Sequence, residues 1–369
     1  MDLGILSHIG ERFSAQLPFV AYRRPDREEI RALFQNDREL RTVTDFSESG
    51  FVFAPFDATE PAVLLRIDES LREIGRFERD GGKLYTLPDG HLGGDRDFHL
   101  KLIQKGIAEI DSGPLKKVVL ARVLEASSPK GPIALFQDIL AHYPTAFCYI
   151  WYHPMVGLWL GATPEMLLET ENQRFSTMSL AGTQRYREGE APVWGGKEED
   201  EQGMVTQFII DSLKDKVSDL RVSERESVRA GNVWHLRNLI SGTMRDGGLG
   251  GIIHALHPTP AVCGLPKDLA KEFILRNEGH KRGYYTGFLG ELNQKEEISR
   301  AVTRKNQENR AYRTLKNRTS LYVNLRCMEM QGNRVSIYVG GGITKESVPE
   351  MEWEETMDKA RTMLNLIQN

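Results

Sequence analysis

Four stretches between residues 117 and 185 constrain the fold most: "KVVLARVLEA", "AFCYIWYHP", "VGLWLGATP" and "EMLLETENQRFSTMSLAG". Tyr, Trp, Phe and β-branched residues alternate there with small ones, a pattern that suits a pleated, half-buried surface. The connections are mostly short, which suits neighbouring strands that run antiparallel. The pattern resumes in "GNVWHLRNLISGTM", "GYYTGFLGEL" and "SLYVNLRCMEMQGNRVSIYVGGGI". Helical spacing is confined to separate blocks. One is "FHLKLIQKGIAEIDSG", which ends on Ser112-Gly113; another starts near Glu198, with Val205, Phe208, Ile209, Leu213 and Val217 three or four apart. "GIIHALHPTPAVCGLP" reads as a short helix running into a proline-broken loop, "AKEFILRNEGHKR" as a helix, and Pro349 opens the last one. Strands in runs and helices in blocks predict an α+β protein with large, mostly antiparallel sheets and helices packed outside.

With 369 residues the chain exceeds what one core usually serves. Residues 1–95 read as a smaller α+β region, with "GFVFAPF" and "AVLLRI" as strands and a helical piece around "PDREEIRALFQ"; residues 96–369 form the main domain. The Gly- and Asp-rich segment over 80–96 is the expected boundary. A net charge of −4 gives no reason to expect nucleic acid, and the basic run "RKNQENRAYRTLKNR" reads as a solvated loop or short helix. Cys148, Cys263 and Cys327 imply neither a disulfide framework nor a zinc site. No apolar run reaches the ~18 residues of a membrane span and the N-terminus lacks a signal-peptide pattern, so no membrane partner and a cytoplasmic location are expected.

Two acidic bursts raise the question of chemistry. "PEMEWEETMDKA" carries Glu350, Glu352, Glu354, Glu355 and Asp358, followed by Lys359; "GGKEEDEQG" carries Glu198 and Glu201. Acids in a first helical turn complement the dipole, which is the plain explanation for each stretch. Yet Glu352 and Glu355, like Glu198 and Glu201, sit three apart and share a face. Four converging carboxylates need a cation, and hard oxygen donors favour Mg2+. Lys117 opens a strand: it is either a solubilising end or a base drawn into a cleft. Glu165, after a Thr-Pro turn in an aromatic-rich neighbourhood, suits a carboxyl kept protonated. "LAGT" (Leu180 to Thr183) and "VGGGI" (Val339 to Ile343) are either turns or places where backbone N–H groups approach an anion.

Together, "KVVLAR", "GATPEMLL", "LAGT", "KEEDEQGMVTQFI", "LHPTPAVCGLP", "RGYYTGFLG", "LYVNLRCMEM", "VGGGI" and "EWEETMDKARTML" resemble, in order, the chorismate-utilising enzymes, and among them the isochorismate synthases. The resemblance covers residues 98–369 and leaves 1–95 as the family's variable part. It implies chorismate as substrate and Mg2+ as the required ion, held by Glu201 and Glu355 with Glu198 and Glu352 in support. Lys117 would be the base that activates water for attack at C2, and Glu165 the acid that protonates the leaving C4 hydroxyl. Arg326, Tyr322, Lys359 and the backbone of Gly340, Gly341 and Gly342 would bind the carboxylates. Gly182 and Thr183 would lie near the leaving group, and His257 would line the ring pocket. Lysine at 117 fits water as nucleophile, where ammonia-using relatives carry glutamine, so no glutaminase subunit is expected; a monomer is. The family's Glu-His pair at the first acidic helix is Glu201-Gln202 here. Alternatives are a salicylate synthase, which goes on to eliminate pyruvate, and a chorismate-binding protein without catalysis.

Overall fold

A computed structural model of the chain describes residues 4–77, 96–230, 233–245, 248–298 and 314–367. The boundary segment over 80–96 lies almost wholly outside the described residues, and so does most of the basic run 304–318.

The strands, numbered in chain order, build two sheets. The first contains β1 (Phe19–Arg23), β2 (Glu29–Phe34), β6 (Glu69–Ile74), β7 (Lys117–Ser127), β8 (Phe147–His153), β9 (Gly157–Thr163), β15 (Gly264–Leu265), β18 (Cys327–Gln331) and β19 (Arg334–Ile343). Their order is β15-β7-β19-β18-β9-β8-β1-β2-β6. The second contains β3 (Arg41–Thr42), β4 (Gly50–Ala54), β5 (Val63–Leu65), β10 (Met166–Glu171), β11 (Arg174–Arg185), β12 (Val217–Val222), β13 (Glu226–Ala230), β14 (Val233–Met244), β16 (Phe288–Ile298) and β17 (Thr314–Val323). Its order is β12-β14-β11-β10-β17-β16-β4-β5-β3, with β13 also on β14. Every pairing among the described residues is antiparallel, from Val119↔Gly342 in the first sheet to Leu180↔Arg237 in the second.

The sheets face each other across an aromatic layer that includes Tyr22, Phe51, Phe53, Phe147, Trp151 and Trp159. On the far side of the first sheet lie α1 (Gly4–Ser14), α3 (Pro132–His142) and α7 (Pro349–Ile367). Helices α2 (Arg96–Ser112) and α6 (Lys267–Asn277) cover its β7 end. Helices α4 (Gly196–Leu213) and α5 (Gly248–Leu256) cover the second sheet. The architecture is therefore α+β, with helices outside two large antiparallel sheets.

Three local forecasts need correcting. Residues 29–34 form β2 rather than a helix: Glu29 and Arg31 mimic helical charge spacing, but the segment hydrogen-bonds to β1 on one side and β6 on the other. Val217 begins β12 instead of extending α4. Helices α1 and α3 are additional; in α1 only Ile5, Leu6 and Ile9 are buried, a face narrow enough to pass unnoticed. Residues 4–77 also do not stand apart as a separate unit. They give β1, β2 and β6 to one sheet and β3, β4 and β5 to the other, and Ile9 and Phe19 share a core with Met328 and Leu364.

Two of the places where the chain changes sheets are neighbours in space. Thr163-Pro164-Glu165 joins β9 to β10, and Asn324-Leu325-Arg326 joins β17 to β18. The two crossings are tied together: Val323 N–H donates to the Glu165 carbonyl at 2.9 Å, and Ala162 N–H to the Arg326 carbonyl at 3.0 Å. Side chains leaving a crossing belong to neither sheet's packed face, and so they can be aimed into a gap.

Candidate active site

That gap is a cavity bounded by both crossings, the start of β7, the end of β19 and the first turns of α4 and α7. Glu165, Gly182, Thr183, Glu201, Arg326, Gly340, Gly342, Glu355 and Lys359 all line it.

The two acidic helices meet over the glycines of β19. A Cβ on Gly342 would stand 2.7 Å from Glu201 Oε1 and 3.0 Å from Lys117 Cε, so only glycine leaves room for that pair. One residue earlier, the same position on Gly341 is 3.7 Å from Glu352 Oε2 and 4.0 Å from Glu355 Oε1. Adjacent residues of one strand thus separate the acids of α4 from those of α7. On the other side, Gly182 takes a left-handed conformation (φ +68°) at a break in the β11–β14 register, and its Cα faces Glu198. Glu198 also caps its own helix, accepting from Gly195 N–H at 3.1 Å.

Three lysines answer the acids. Lys117, 0% exposed, places Nζ 2.7 Å from Glu201 Oε1, outside hydrogen-bonding alignment. Lys197 Nζ is 2.9 Å from Glu352 Oε1, and Lys359 Nζ is 2.6 Å from Glu355 Oε1. Lys359 also donates to the Gly340 carbonyl at 2.9 Å. Burial would raise the Glu355 pKa, but Lys359 outweighs it and holds that carboxyl below its usual range. Glu352, 3% exposed, goes the other way: burial and the charge of Glu355 push it up despite Lys197. Glu350 and Glu354 stay in solvent, so the acidic stretch is part solvated helix start and part site.

Glu165 is 4% exposed and receives no hydrogen bond to its carboxyl among the described residues. Burial pushes its pKa up to about 8, against the downward pull of Lys117, Arg326 and Lys359. It is therefore a carboxylic acid at neutral pH, facing the cavity. Arg326, at the other crossing, has φ +49°, and its guanidinium makes no hydrogen bond or ion pair among the described residues. Burial lowers its pKa, and its guanidinium has donors to spare for a carboxylate ligand.

Two expected residues lie elsewhere. His257 does not line the cavity; its Nε2–H donates to the Pro55 carbonyl at 3.1 Å, its ring meets Phe288 edge-on, and burial pushes its pKa down to about 4. The loop after it reaches the cavity through Ala261 and Val262 instead. Tyr322 stacks on Phe147 with ring centroids 4.1 Å apart, inside the aromatic layer. The cavity's own histidine is His235, from "NVWHL" in β14, and its tyrosines are Tyr285 and Tyr338. His235 Nδ1–H donates to the Gly182 carbonyl at 2.7 Å, and burial lowers its pKa to about 3, which leaves Nε2 as an acceptor. Strand alternation would have put His235 on the same face as Val233 and Arg237, but nothing in it distinguishes a cavity from a core.

Gln202, where the family carries histidine, points away from the cavity. Its Nε2 is 2.5 Å from Asn238 Oδ1, 3.0 Å from Thr206 Oγ1 and 3.1 Å from Ser179 Oγ, in a buried network that seats α4 on β11 and β14. The departure therefore lies behind Glu201.

Residues 93–303 match a family model described as chorismate binding enzyme, and residues 311–365 match a second model with the same description. The chain belongs to the chorismate-binding enzymes. Within that family it is similar to isochorismate synthase DhbC of Bacillus subtilis, with 28% identity over 84% of this chain and 78% of the relative. To isochorismate synthase MenF of Escherichia coli it is 31% identical, over 76% of this chain and 64% of the relative. The solved structure of the menaquinone-specific isochorismate synthase MenF from Escherichia coli superposes on all of this chain and 92% of that one, with a TM-score of 0.77 and 23% identity. The family match begins near residue 93, although the sheets incorporate residues before it.

Proposed function

We propose that this chorismate-binding enzyme is an isochorismate synthase. The observation that carries the proposal is a buried carboxylic acid, Glu165, in the wall of a cavity that also holds the cations Arg326 and Lys359, with the fully buried Lys117 directly behind the lining residues Glu201 and Gly342.

Chorismate brings two carboxylates and a ring hydroxyl. Arg326 is suited to receive one carboxylate, with Tyr285 beside it. Lys117, reacting as the neutral amine, takes a proton from water as its oxygen bonds to ring carbon C2; the double bonds shift, the C4–O bond breaks, and Glu165 gives its proton to the departing hydroxyl, which leaves as water. A base and an acid acting on one ring in this way give isochorismate with no oxidant or second substrate. Ammonia is not needed, and so neither is a glutaminase partner.

The donors present fit Mg2+. Glu201 and Glu355 would offer hard oxygen donors at the cavity wall, with Glu352 and Glu198 behind them, and like charge between Glu352 and Glu355 is a reason for a cation there. Among the described residues no three acids cluster closely enough to form a metal centre, and Lys117, Lys197 and Lys359 pair with Glu201, Glu352 and Glu355. The ion, when bound, would neutralise the ring carboxylate and fix it against the two acidic helix ends.

The test is incubation of the purified chain with chorismate and Mg2+, without ammonium, with chromatography of products against an EDTA control. Isochorismate in equilibrium with chorismate is the expected result. Salicylate with pyruvate would make it a salicylate synthase, and no product would overturn the catalytic proposal.

A further inference from the structure

Two further cavities abut the central one, and they carry opposite charge. One, of about 250 Å3, meets it at Pro164, Leu180 and Arg326, and runs outward past Met178 to Arg229 and Arg237 on β13 and β14. Its lining holds three guanidinium groups and a single carboxylate, Asp26. Arg229 lies over the Tyr186 ring, 3.4 Å from its centroid, and Arg237 pairs with Glu226 at 2.7 Å, which tempers the charge without reversing it. The other cavity meets the centre at Thr183 and Glu355 and opens between Glu350, Glu354 and Asp358, with no basic residue in its lining.

Resting on the proposed function, we infer that the dianionic substrate enters and leaves through the arginine-lined cavity, passing Arg326, and does not use the acidic mouth. A dicarboxylate crossing the basic cavity moves from two surface guanidinium groups to a third, Arg326, that makes no ion pair among the described residues although Glu355 acts on it from a distance. Crossing the other would carry it past the carboxylates of Glu350, Glu354 and Asp358, whose like charge opposes entry although the first two face solvent and Asp358 pairs with Arg361. The walls between the arginines, Met178 and Leu180, are apolar and suit the ring face of the same molecule. Arg326 then has two functions: it is the last residue of the passage and the first contact of the bound state.

The experiment is stopped-flow fluorescence of chorismate binding to the magnesium-loaded full chain, with Glu165→Gln in every protein to prevent turnover. Arg229→Gln with Arg237→Gln is expected to slow association about 5–10-fold at low ionic strength, with the difference closing as salt rises. Mg2+ affinity and, in the chain with Glu165 intact, kcat at saturating chorismate stay unchanged. Val228→Trp, which narrows the passage, is expected to slow association and dissociation by one common factor and leave Kd unaltered, the signature of a route rather than a binding contact. Glu350→Gln with Glu354→Gln and Asp358→Asn should change association less than twofold. Wild-type association rates in the arginine variant at low salt, or a large acceleration in the acidic-mouth variant, would overturn the route and leave the enzyme assignment standing. No chorismate binding by the parent protein would sink both.

Discussion

Glu165 and Glu291 are the same residue type, both buried between the sheets (4% and 2% exposed), and they end in opposite states. Glu291, on β16, accepts from Tyr22 Oη, Arg24 and Arg31, all contributed by the first strands of the chain. Burial would raise its pKa, but the two guanidinium groups win and hold it below the usual carboxylate range. Glu165 is buried as deeply, yet its nearby cations act only at a distance, and its pKa rises to about 8. Burial supplies the same push at both places; direct partners decide the outcome. The Glu291 cluster fastens the N-terminal strands to the second sheet, whereas Glu165 is left unfastened and holds a proton it can give away.

The largest effect expected from breaking this contrast is on turnover. Glu165→Gln keeps size and neutrality but cannot donate a proton as an acid does, so conversion should fall about 10^2–10^4-fold while chorismate still binds with its 4-hydroxyl intact. Lys117→Ala should abolish isochorismate formation with the fold retained; near-normal turnover in either variant would remove that residue's assigned role. Next comes Glu291→Ala, which leaves Arg24, Arg31 and Tyr22 without their shared acceptor and should cost about 3–5 kcal/mol in chemical denaturation. An unchanged denaturation midpoint would mean that the cluster fastens nothing.

A pH series sharpens the comparison because the two linkages have opposite signs. For Glu165 the folded pKa lies above the unfolded one, so stability falls as pH rises from about 4.5 to about 8 and is flat beyond. Glu165→Gln should therefore be more stable than the parent at pH 8.5, by on the order of 4 kcal/mol at most, and indistinguishable from it near pH 4. Glu291 contributes stability above its unfolded pKa that disappears on acidification through its lowered folded value. Activity that depends on protonated Glu165 should decline above about pH 8. A flat profile between pH 7 and 9.5 would contradict its role as acid. A smaller effect is expected from Glu355→Gln, where the Mg2+ titration of activity should move to higher concentration; an unmoved curve would exclude Glu355 as a ligand.

Much of the site was legible because its residues sit in short motifs whose chemistry is local. Lys117 at a strand start, Glu165 after Thr-Pro, the paired acids of α4 and α7, and the glycines of β19 each announce a backbone position or a shared helical face. His257 and Tyr322 were misplaced for a different reason. Each sits in the right neighbourhood, but whether an imidazole or phenol faces a cavity or a core depends on what the other sheet brings opposite it, and that is long-range information. His235 and Tyr285 went unnoticed for the same cause. The α+β class with large antiparallel sheets followed from strands in runs and helices in separate blocks, whereas the two-sheet arrangement and β2 did not, since the charges of β2 imitate a helix until β1 and β6 claim its backbone.

The pairing of β7 with β19 has a consequence for how the enzyme is made. Val119 meets Gly342 more than two hundred residues later in the chain, so at about 5–20 residues per second a growing polypeptide exposes the edge of β7 for roughly 10–45 s before its partner is synthesised. Until β19 arrives, Lys117 has no glycine strand to lie against. Function thus appears abruptly with the last few dozen residues, and a chain stalled short of them is a long β-sheet fragment with a hydrophobic border, a natural client for a chaperone.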